Sequence, residues 1–382
     1  KQAEYASAEE CYSQALTLFK EMGATNQYAK TLLALGRLHF EQGHLENALG
    51  YHQDGLEIGR ELRDPILINS ALNNLGRGVL EKGKLKDSLD FLQKSLHFRE
   101  QSGDQQGLSN SLFNMACYHQ HLSDTGRALK FFYRSLEMKE KIGDVFGEAL
   151  THLAIAMSYL SLNLFDKAQE FLHGPLSISS EKNMPYIKAQ THYVTGCFHK
   201  KKQDFTAAKN EFLEALKLHQ KIQNNAGLLA TRLALTELHL DFGYENDARQ
   251  FLYDALSQGK EIHLLRYTSQ GYILKGRILS LNSNKWEESE EHLFRGIQQA
   301  KELKDLEVVW RAHFYLGKMY HQRNLFKQAE NCYKNALDVI KEINEKLPEE
   351  LKIEYLKDLE KKTLREKMME LETQLESRLP SP

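Results

Sequence analysis

The chain has 382 residues, and its 50 Lys and Arg nearly balance its 52 Asp and Glu, so the formal charge is −2 at pH 7. This balance argues against the strongly basic surface of a nucleic-acid-binding protein. With no run of about 18 apolar residues and a polar start, the sequence predicts neither a transmembrane helix nor a secretory signal. The four cysteines lack paired spacing, which is typical of a reducing compartment, so we expect a cytoplasmic protein without membrane insertion.

A period of 40 residues organises the chain. Only six prolines are present, and abundant Leu, Ala, Glu and Lys favour helices throughout. With a one-residue insertion near Asn284, one apolar column contains Leu16, Leu56, Leu96, Leu136, Leu176, Leu216, Leu256, Ile297 and Leu337. Twenty residues before this column, apart from Thr236, stand the small residues Gly36, Gly76, Ala116, Ala156, Gly196, Gly276 and Gly317. Small residues in this column let two helices approach closely.

The residues that end one helix and begin the next follow the same period. Residues that tolerate positive φ stand where the first helix of each pair must turn into the second, at Gly43, Gly83, Asn163 and Gly243. Aspartates suited to N-capping stand between pairs, at Asp64, Asp104, Asp144 and Asp305. Each unit is therefore predicted to be a helix, a tight turn, a second helix and a short link, and the fold to be all-α.

This pattern resembles the tetratricopeptide repeat family, whose units carry a Leu-Gly pair, an aromatic residue three positions on, and then Ala, aromatic and Ala in the second helix. The best matching positions are Gly196, Ala208, Phe212 and Ala215, and then Leu316-Gly317, Tyr320, Ala329, Tyr333 and Ala336. The period of 40 is similar to that of repeats in kinesin light chains, spindle-orientation adaptors and many bacterial signalling proteins. The resemblance implies a right-handed α-solenoid of helix-turn-helix repeats.

We expect two domains. Residues 1–347 are predicted to form the superhelix, with a leading half repeat from about Ala6 to Met22 and then eight helix pairs. Because one half repeat has no partner, we expect the chain to be a fragment of a longer protein. Residues 348–382 leave the period and carry apolar residues on one helical face, which predicts a capping helix or a short coiled coil with a disordered end.

The fourth repeat departs from the pattern. Gly174 and Pro175 fall inside its second helix, and Pro185 opens the next link. Proline removes a helical hydrogen bond and clashes with the preceding turn, so we expect a break or kink between residues 174 and 186. A static irregularity is favoured over a hinge between two halves of the array.

No motif predicts catalysis. The glycines stand singly in repeat columns and do not form a phosphate-binding loop. One packing column, which is usually aromatic in the family, contains His39, His119, His199 and His239, so ring packing is favoured over metal binding. No nucleophile, base and orienting acid can be assembled from the sequence. We therefore expect a protein without enzymatic activity, cofactor or metal.

The first helix of each repeat lines the concave face of such a solenoid. In this register the candidate peptide-binding residues are Lys30, Arg37, Asn73, Asn74, Arg77, Asn110, Asn114 and Met157. In related arrays an Asn two residues before the glycine reaches the backbone of an extended peptide, and Asn74 and Asn114 match that position, whereas the first repeat has Ala34. An amide donates and accepts hydrogen bonds at once, so it can hold a main chain.

The charges and apolar residues of this face refine the expected ligand. Arg37 and Arg77 favour acidic side chains, and Leu150, Leu153, Met157 and Leu160 predict an apolar centre. The alternative is that both arginines pair with neighbouring carboxylates and that the apolar residues pack between helices. The sequence therefore predicts an interaction scaffold that binds an extended protein segment or peptide in its concave groove, along repeats one to four. This scaffold is expected to be part of a larger signalling protein.

Two other functions remain open at this point. The chain also fits the regulatory or ligand-sensing arm of a multidomain kinase or nucleotide-dependent switch enzyme. It equally fits a bacterial peptide-pheromone sensor, which normally carries an effector or DNA-binding bundle before the repeats.

Overall fold

The computed structural model describes residues 4–259 and 265–376, and these ranges contain helices and connecting turns but no strand. A lone helix α1 (Glu4–Glu21) precedes eight helix pairs. The pairs are α2 (Thr25–Gln42) with α3 (Leu45–Glu61), α4 (Pro65–Glu81) with α5 (Leu85–Ser102), α6 (Gln105–His121) with α7 (Thr125–Ile142), α8 (Val145–Ser161) with α9 (Phe165–Glu181), α10 (Pro185–Lys201) with α11 (Phe205–Lys221), α12 (Asn225–Asp241) with α13 (Glu245–Gly259), α14 (Leu265–Ser280) with α15 (Trp286–Glu302), and α16 (Leu306–Gln322) with α17 (Phe326–Glu345). Two more helices follow, α18 (Glu349–Leu356) and α19 (Leu359–Glu376).

The links between these helices use the residues that the sequence pattern predicts. Gly43 and Asn163 adopt φ angles of 89° and 59° in the turns inside pairs. At the start of α4 the Asp64 carboxylate accepts hydrogen bonds from the backbone N–H groups of Ile66 and Leu67. The inserted residue near Asn284 falls in a short 3-10 turn, Ser283–Lys285, before α15.

The missing side chain of the small column sets the distance between the two helices of a pair. A Cβ atom on Gly196 would lie 2.6 Å from the Phe212 ring, and one on Gly317 would lie 2.5 Å from Tyr333. Both partners are fully buried. The ring of the second helix therefore occupies the volume that a side chain on the first helix would need.

The prolines of the fourth repeat do not interrupt its helices. Helix α9 is continuous from Phe165 to Glu181 with Pro175 in its interior, so the predicted break is wrong. Pro175 is buried, and this packing offsets the hydrogen bond that proline cannot make. Pro185 stands in the first turn of α10, where a missing N–H removes no helical bond. A bend between residues 174 and 186 stays a prediction.

The array closes on itself along a seam between distant repeats. Leu45 of α3 packs in one cluster with Leu229 of α12 and Leu274 of α14. His121 Nε2 lies 2.7 Å from the Leu303 carbonyl oxygen, 182 residues away. The Asn163 amide donates to the Glu354 carbonyl oxygen at 3.2 Å, across 191 residues. The two hydrogen bonds span 182 and 191 residues, which is between four and five 40-residue units, so each superhelical turn touches the next and the concave face becomes internal.

The two helices after the last pair pack onto the solenoid. Leu364, Met368 and Leu371, on the face predicted for a cap or a coiled coil, are buried within this chain. Asp358, just before α19, forms an ion pair with Lys201 at the end of α10. The predicted disordered end, residues 377–382, lies outside the described residues. None of the described helices combines the length and hydropathy that crossing a bilayer requires.

The histidines of the repeat columns pack as aromatic rings. His39 stacks on Tyr51 with ring centroids 5.2 Å apart, and His119 stacks on Phe131 at 5.4 Å. In the described part of the chain, Glu140, Glu148 and His152 are close enough to share a metal ion, but none of them lines the concave face described below. Ring packing accounts for the His39 and His119 contacts.

The glycine column provides a direct test of this packing. Gly196→Ala should lower the free energy of unfolding by about 1–3 kcal/mol, because the new Cβ overlaps the Phe212 ring. Gly50→Ala is the matched control. A Cβ there meets nothing within 4 Å inside α3, so alanine should raise the stability by up to about 1 kcal/mol. Urea unfolding followed by circular dichroism measures both changes, and equal effects would contradict the packing account.

Buried histidines should make the fold sensitive to acid. Burial lowers the pKa of His219 and of His313 from 6.5 to about 4, and burial with the Arg37 charge lowers that of His52 to about 3. Below pH 6.5 the unfolded chain binds protons that the folded chain does not bind, so stability falls as the pH drops towards 4. At pH 5 each ring accounts for a loss of about 2 kcal/mol.

The substitution His219→Leu isolates one of these contributions. The difference in unfolding free energy between pH 7 and pH 5 should shrink by about 2 kcal/mol in the variant, because leucine binds no proton. Urea titrations at the two pH values give this difference. The same pH dependence in both proteins would show that His219 titrates normally in the folded state.

Candidate functional site

The first helices of the repeats surround two adjoining cavities of about 610 and 450 Å³. Arg77 and Cys117 line both. We call the larger cavity the amide groove, since it is lined by Asn73, Asn74, Asn110 and Asn114. We call the smaller one the inner chamber. Every first helix from α4 to α16, and α19 as well, contributes to its lining, through Arg77, Cys117, Met157, Cys197, Leu233, Arg277, Arg311 and Lys361.

The structure brings most of the sequence-predicted site residues together. Seven line the amide groove, namely Lys30, Arg37, Asn73, Asn74, Arg77, Asn110 and Asn114. Met157 lines the inner chamber instead. Lys30 and Arg37 are exposed, Asn73 is only 4% exposed, and Asn74, Asn110 and Asn114 are half-buried.

The asparagine side chains of the groove have unused hydrogen-bonding groups. Asn73 Oδ1 is buried and has no hydrogen-bond partner. The side chains of Asn74, Asn110 and Asn114 likewise make no hydrogen bond to the described residues. A buried carbonyl oxygen without a partner costs free energy, so such groups in a cavity call for an explanation. Four amides along two adjacent helices can bond to the main chain of a ligand.

The two predicted arginines differ in their surroundings. Arg77 Nη1 lies 3.2 Å from Glu81 Oε1 one turn along α4, and its guanidinium group lies 5.6 Å from the centre of the Phe40 ring. Arg77 therefore follows the alternative expectation of pairing with a neighbouring carboxylate. Arg37 is exposed and makes no ion pair with the described residues, so its charge is available to a ligand.

The predicted apolar centre is divided between the core and the cavity. Leu153 and Leu160 are 4% and 3% exposed and belong to the main hydrophobic core, and Leu160 also lines the inner chamber. Leu150 lines the amide groove, and Met157, at 36% exposure, lines the inner chamber. Helix packing therefore accounts for Leu153, while Leu150 and Met157 remain accessible from the cavity.

A charge network that the site prediction missed lies around the inner chamber. Lys200 Nζ is 2.5 Å from Glu237 Oε2, and Arg277 Nη2 is 2.8 Å from Asp241 Oδ1. Burial raises the pKa of the Glu237 carboxyl group, but Lys200 and the arginines nearby outweigh this effect and hold the pKa well below its usual range. Glu237 is therefore charged at neutral pH and balances several cations.

One register position could have identified much of this lining. The residue directly after the small column points into the inner chamber in six consecutive repeats, as Arg77, Cys117, Met157, Cys197, Glu237 and Arg277. The predicted peptide-binding residues include only Arg37, Arg77 and Met157 from this position. Lys200 and Lys361 have no such repeat signal.

Two cysteine side chains of this position have little nucleophilic character. Burial raises the pKa of the Cys197 thiol to about 11, although the charge of Lys200 opposes this shift. Burial also raises the pKa of Cys117, against the charge of Arg77. The thiolate is the reactive form of cysteine, so these groups suit ligand contact better than covalent chemistry.

A tetratricopeptide repeat family model matches residues 1–61 and 67–141. This part of the chain therefore consists of tetratricopeptide repeats. The resemblance identified from the Leu-Gly and Ala columns is thus confirmed. A model of anaphase-promoting complex subunit 5 matches residues 152–266. A search of curated protein sequences finds no significant match.

Solved structures share the fold along most of the repeat protein. A Rap protein complexed with competence and sporulation factor has 14% identity and a TM-score of 0.58, and the alignment covers 90% of this chain and 99% of that one. The apo form of the quorum sensor NprR from B. thuringiensis has 16% identity and a TM-score of 0.55, with 88% and 98% covered. A signal transduction ATPase with numerous domains from Pyrococcus horikoshii, which has a tetratricopeptide repeat sensor, gives 14% identity, a TM-score of 0.51, and 86% and 54% covered. The helical solenoid predicted from the sequence is confirmed.

Thiol labelling tests the burial of the chamber. Cys11 is exposed, whereas Cys197 lines the chamber and has a raised pKa. With iodoacetamide at pH 7.5, Cys197 should react about a hundredfold more slowly than Cys11, because the raised pKa of Cys197 leaves very little of its thiol in the reactive thiolate form. Mass spectrometry of tryptic peptides over time gives both rates. Similar rates for the two thiols would mean that the chamber is open to solvent.

Proposed function

We propose that this tetratricopeptide repeat protein is a non-enzymatic interaction scaffold that holds an extended peptide or partner segment in the amide groove. The observation that carries the proposal is the set of four asparagine amides without hydrogen-bond partners in the described part of the chain. A peptide main chain offers donors and acceptors that satisfy such amides without regard to its side chains.

The positions of the amides favour an extended ligand. Asn74 and Asn114 occupy equivalent places in consecutive repeats, and Asn73 and Asn110 flank them. Packed helices lie about 8–10 Å apart, and an extended chain rises about 3.3 Å per residue. Equivalent side chains on stacked helices can therefore meet peptide groups about three residues apart if the ligand runs along the stack. The ligand therefore crosses repeats two and three, with Lys30 and Arg37 beyond one end of this row.

The charges of the groove favour an acidic ligand. Its lining includes Lys30, Arg37, Arg77 and Arg99 but only two carboxylates, Glu41 and Asp104. Arg99 is already occupied, since its Nη1 donates to the Gly107 carbonyl oxygen at 2.6 Å. Lys30 and Arg37 make no ion pair with the described residues and are free to meet acidic side chains. Leu150 and Phe40 supply apolar contacts in the same groove.

The structural neighbours support a role in sensing a signal. One of them is complexed with competence and sporulation factor, and another is named a quorum sensor. The peptide-pheromone sensor is therefore the second candidate, and a sensor arm of a signal transduction ATPase is the third, since such a protein shares the solenoid. All three functions use the same groove.

We place the protein in the cytoplasm, because its four free cysteines suit a reducing compartment.

The double substitution Asn74→Ala with Asn114→Ala tests the groove. A pool of free ten-residue peptides is first screened by affinity selection and mass spectrometry with the unmodified protein. The selected peptide should bind the variant about tenfold to a hundredfold more weakly by calorimetry, because two or more hydrogen bonds are lost.

The matched control is Asn47→Ala with Asn210→Ala. Both of these residues are exposed on second helices, α3 and α11, and line neither cavity. The control should bind the selected peptide as the unmodified protein does. If the pool gives no binder, or if both double variants bind equally well, the proposed function is wrong.

A further inference from the structure

The start of α19 places a carboxylate against cations of the inner chamber. Glu360 Oε2 lies 3.2 Å from Arg311 Nε, and Tyr315 Oη donates a hydrogen bond to Glu360 Oε1 at 2.5 Å. Arg311 and Tyr315 both belong to α16 and line the chamber, whereas Glu360 does not belong to the repeats. A residue from outside the solenoid thus supplies the anion that this part of the solenoid binds.

Without Glu360, Arg311 would lose its nearest carboxylate partner. The only other carboxylate within 4 Å of Arg311 in the described residues is that of Glu237, at 3.9 Å, and Glu237 already pairs with Lys200 at 2.5 Å. Arg277 packs on the Tyr315 ring at 4.0 Å, and its Nη1 is buried without a hydrogen-bond partner. Two guanidinium groups therefore adjoin Tyr315, and each has a buried nitrogen that makes no hydrogen bond in the described residues, Arg277 Nη1 and Arg311 Nε.

The lining of the whole inner chamber is cationic as well. Its charged residues are Arg77, Lys200, Lys201, Arg266, Arg277, Arg311 and Lys361 on the positive side, and Glu81, Glu237, Asp305 and Glu307 on the negative side. The chamber therefore has three more cations than carboxylates, although the chain as a whole has a charge of −2. A cleft with one dominant sign of charge attracts ligands of the other sign.

We propose that Arg277, Arg311 and Tyr315 form a second binding site, which takes a carboxylate of an acidic peptide, and that Glu360 occupies this site as an internal competitor. This second site lies in the inner chamber, which adjoins the amide groove. The proposal rests on the peptide-binding function inferred above, because it describes how the same ligand would be bound beyond the groove. The ligand class is a peptide with Asp or Glu side chains or a free terminal carboxylate.

The exposure of these groups allows Glu360 to leave the site without unfolding of the chain end. The side chains of Glu360 and Arg311 are half-buried, at 29% and 28% exposure, so the Glu360 carboxylate can turn towards solvent and a ligand carboxylate can take its place. The helix itself is held by other contacts, since Tyr355 and Leu364 are fully buried and Asp358 pairs with Lys201. A ligand carboxylate therefore needs to displace one side chain, and α18 and α19 stay in place.

The test uses a fluorescein-labelled decapeptide of alternating Glu and Ala, and a decapeptide of alternating Gln and Ala as the uncharged probe. Glu360→Gln removes the competitor, so by fluorescence anisotropy the Glu-Ala peptide should bind roughly twofold to fivefold more tightly. The Gln-Ala peptide should gain nothing. Tyr315→Phe in the Glu360→Gln protein removes one donor to the ligand and should reverse the gain.

Glu366→Gln is the control for net charge. Glu366 lies on the same helix, is exposed, and makes no ion pair with the described residues, so its loss should leave the affinity unchanged. Equal affinities of the Glu360→Gln and Glu366→Gln proteins for the Glu-Ala peptide would overturn the proposal.

The two proposals fail separately. If Asn74→Ala with Asn114→Ala weakens binding of the selected peptide while Glu360→Gln leaves the affinity for the Glu-Ala peptide unchanged, the amide groove is supported and the second site is wrong. If Glu360→Gln tightens binding of the Glu-Ala peptide while the asparagine variant binds normally, the second site stands and the placement of the ligand on the asparagines is wrong.

Discussion

The close approach of the two helices in each pair determines the rest of this structure. Where the first helix has glycine, the large side chain of the second helix occupies the vacant volume, as Phe212 does against Gly196. The first helices are thereby held at a common depth, with their opposite faces towards the superhelix axis. Because residues next to the small column cannot pack in the same contact, they point inwards, and Cys117, Met157 and Glu237 line the cavity for that reason.

Closure of the superhelix converts this face into an interior. The seam formed by Leu45, His121 and Asn163 with their distant partners leaves charged side chains around a chamber of about 450 Å³. Buried charges are stable only with partners, and the chain supplies several from its own repeats, such as Glu237 for Lys200. The asparagine amides of the groove have no such partners in the described residues, and this is the part of the cavity that we propose binds a ligand.

Repeat periodicity predicts the structural features that recur within each repeat. The helix pairs, the turns at Gly43 and Asn163 and the common cavity of Asn74 and Asn114 follow from a register of 40 residues. The seam does not, because its position depends on small rotations added over nearly five units, and no residue pattern links His121 to Leu303. The contact of Glu360 with Arg311 cannot be predicted from the sequence either, since Glu360 follows the last repeat and meets Arg311 only through tertiary packing. The break expected at Pro175 fails because burial offsets one lost hydrogen bond.

The central claim is that the unbonded asparagine amides hold the main chain of a ligand. The most direct measurement is the side-chain amide region of a ¹H–¹⁵N correlation spectrum of protein labelled on asparagine, recorded with and without the selected peptide. The signals of Asn73, Asn74, Asn110 and Asn114 should shift on binding, while those of the exposed Asn47 and Asn210 stay in place. A peptide that binds and leaves the four groove signals unmoved would contradict the account.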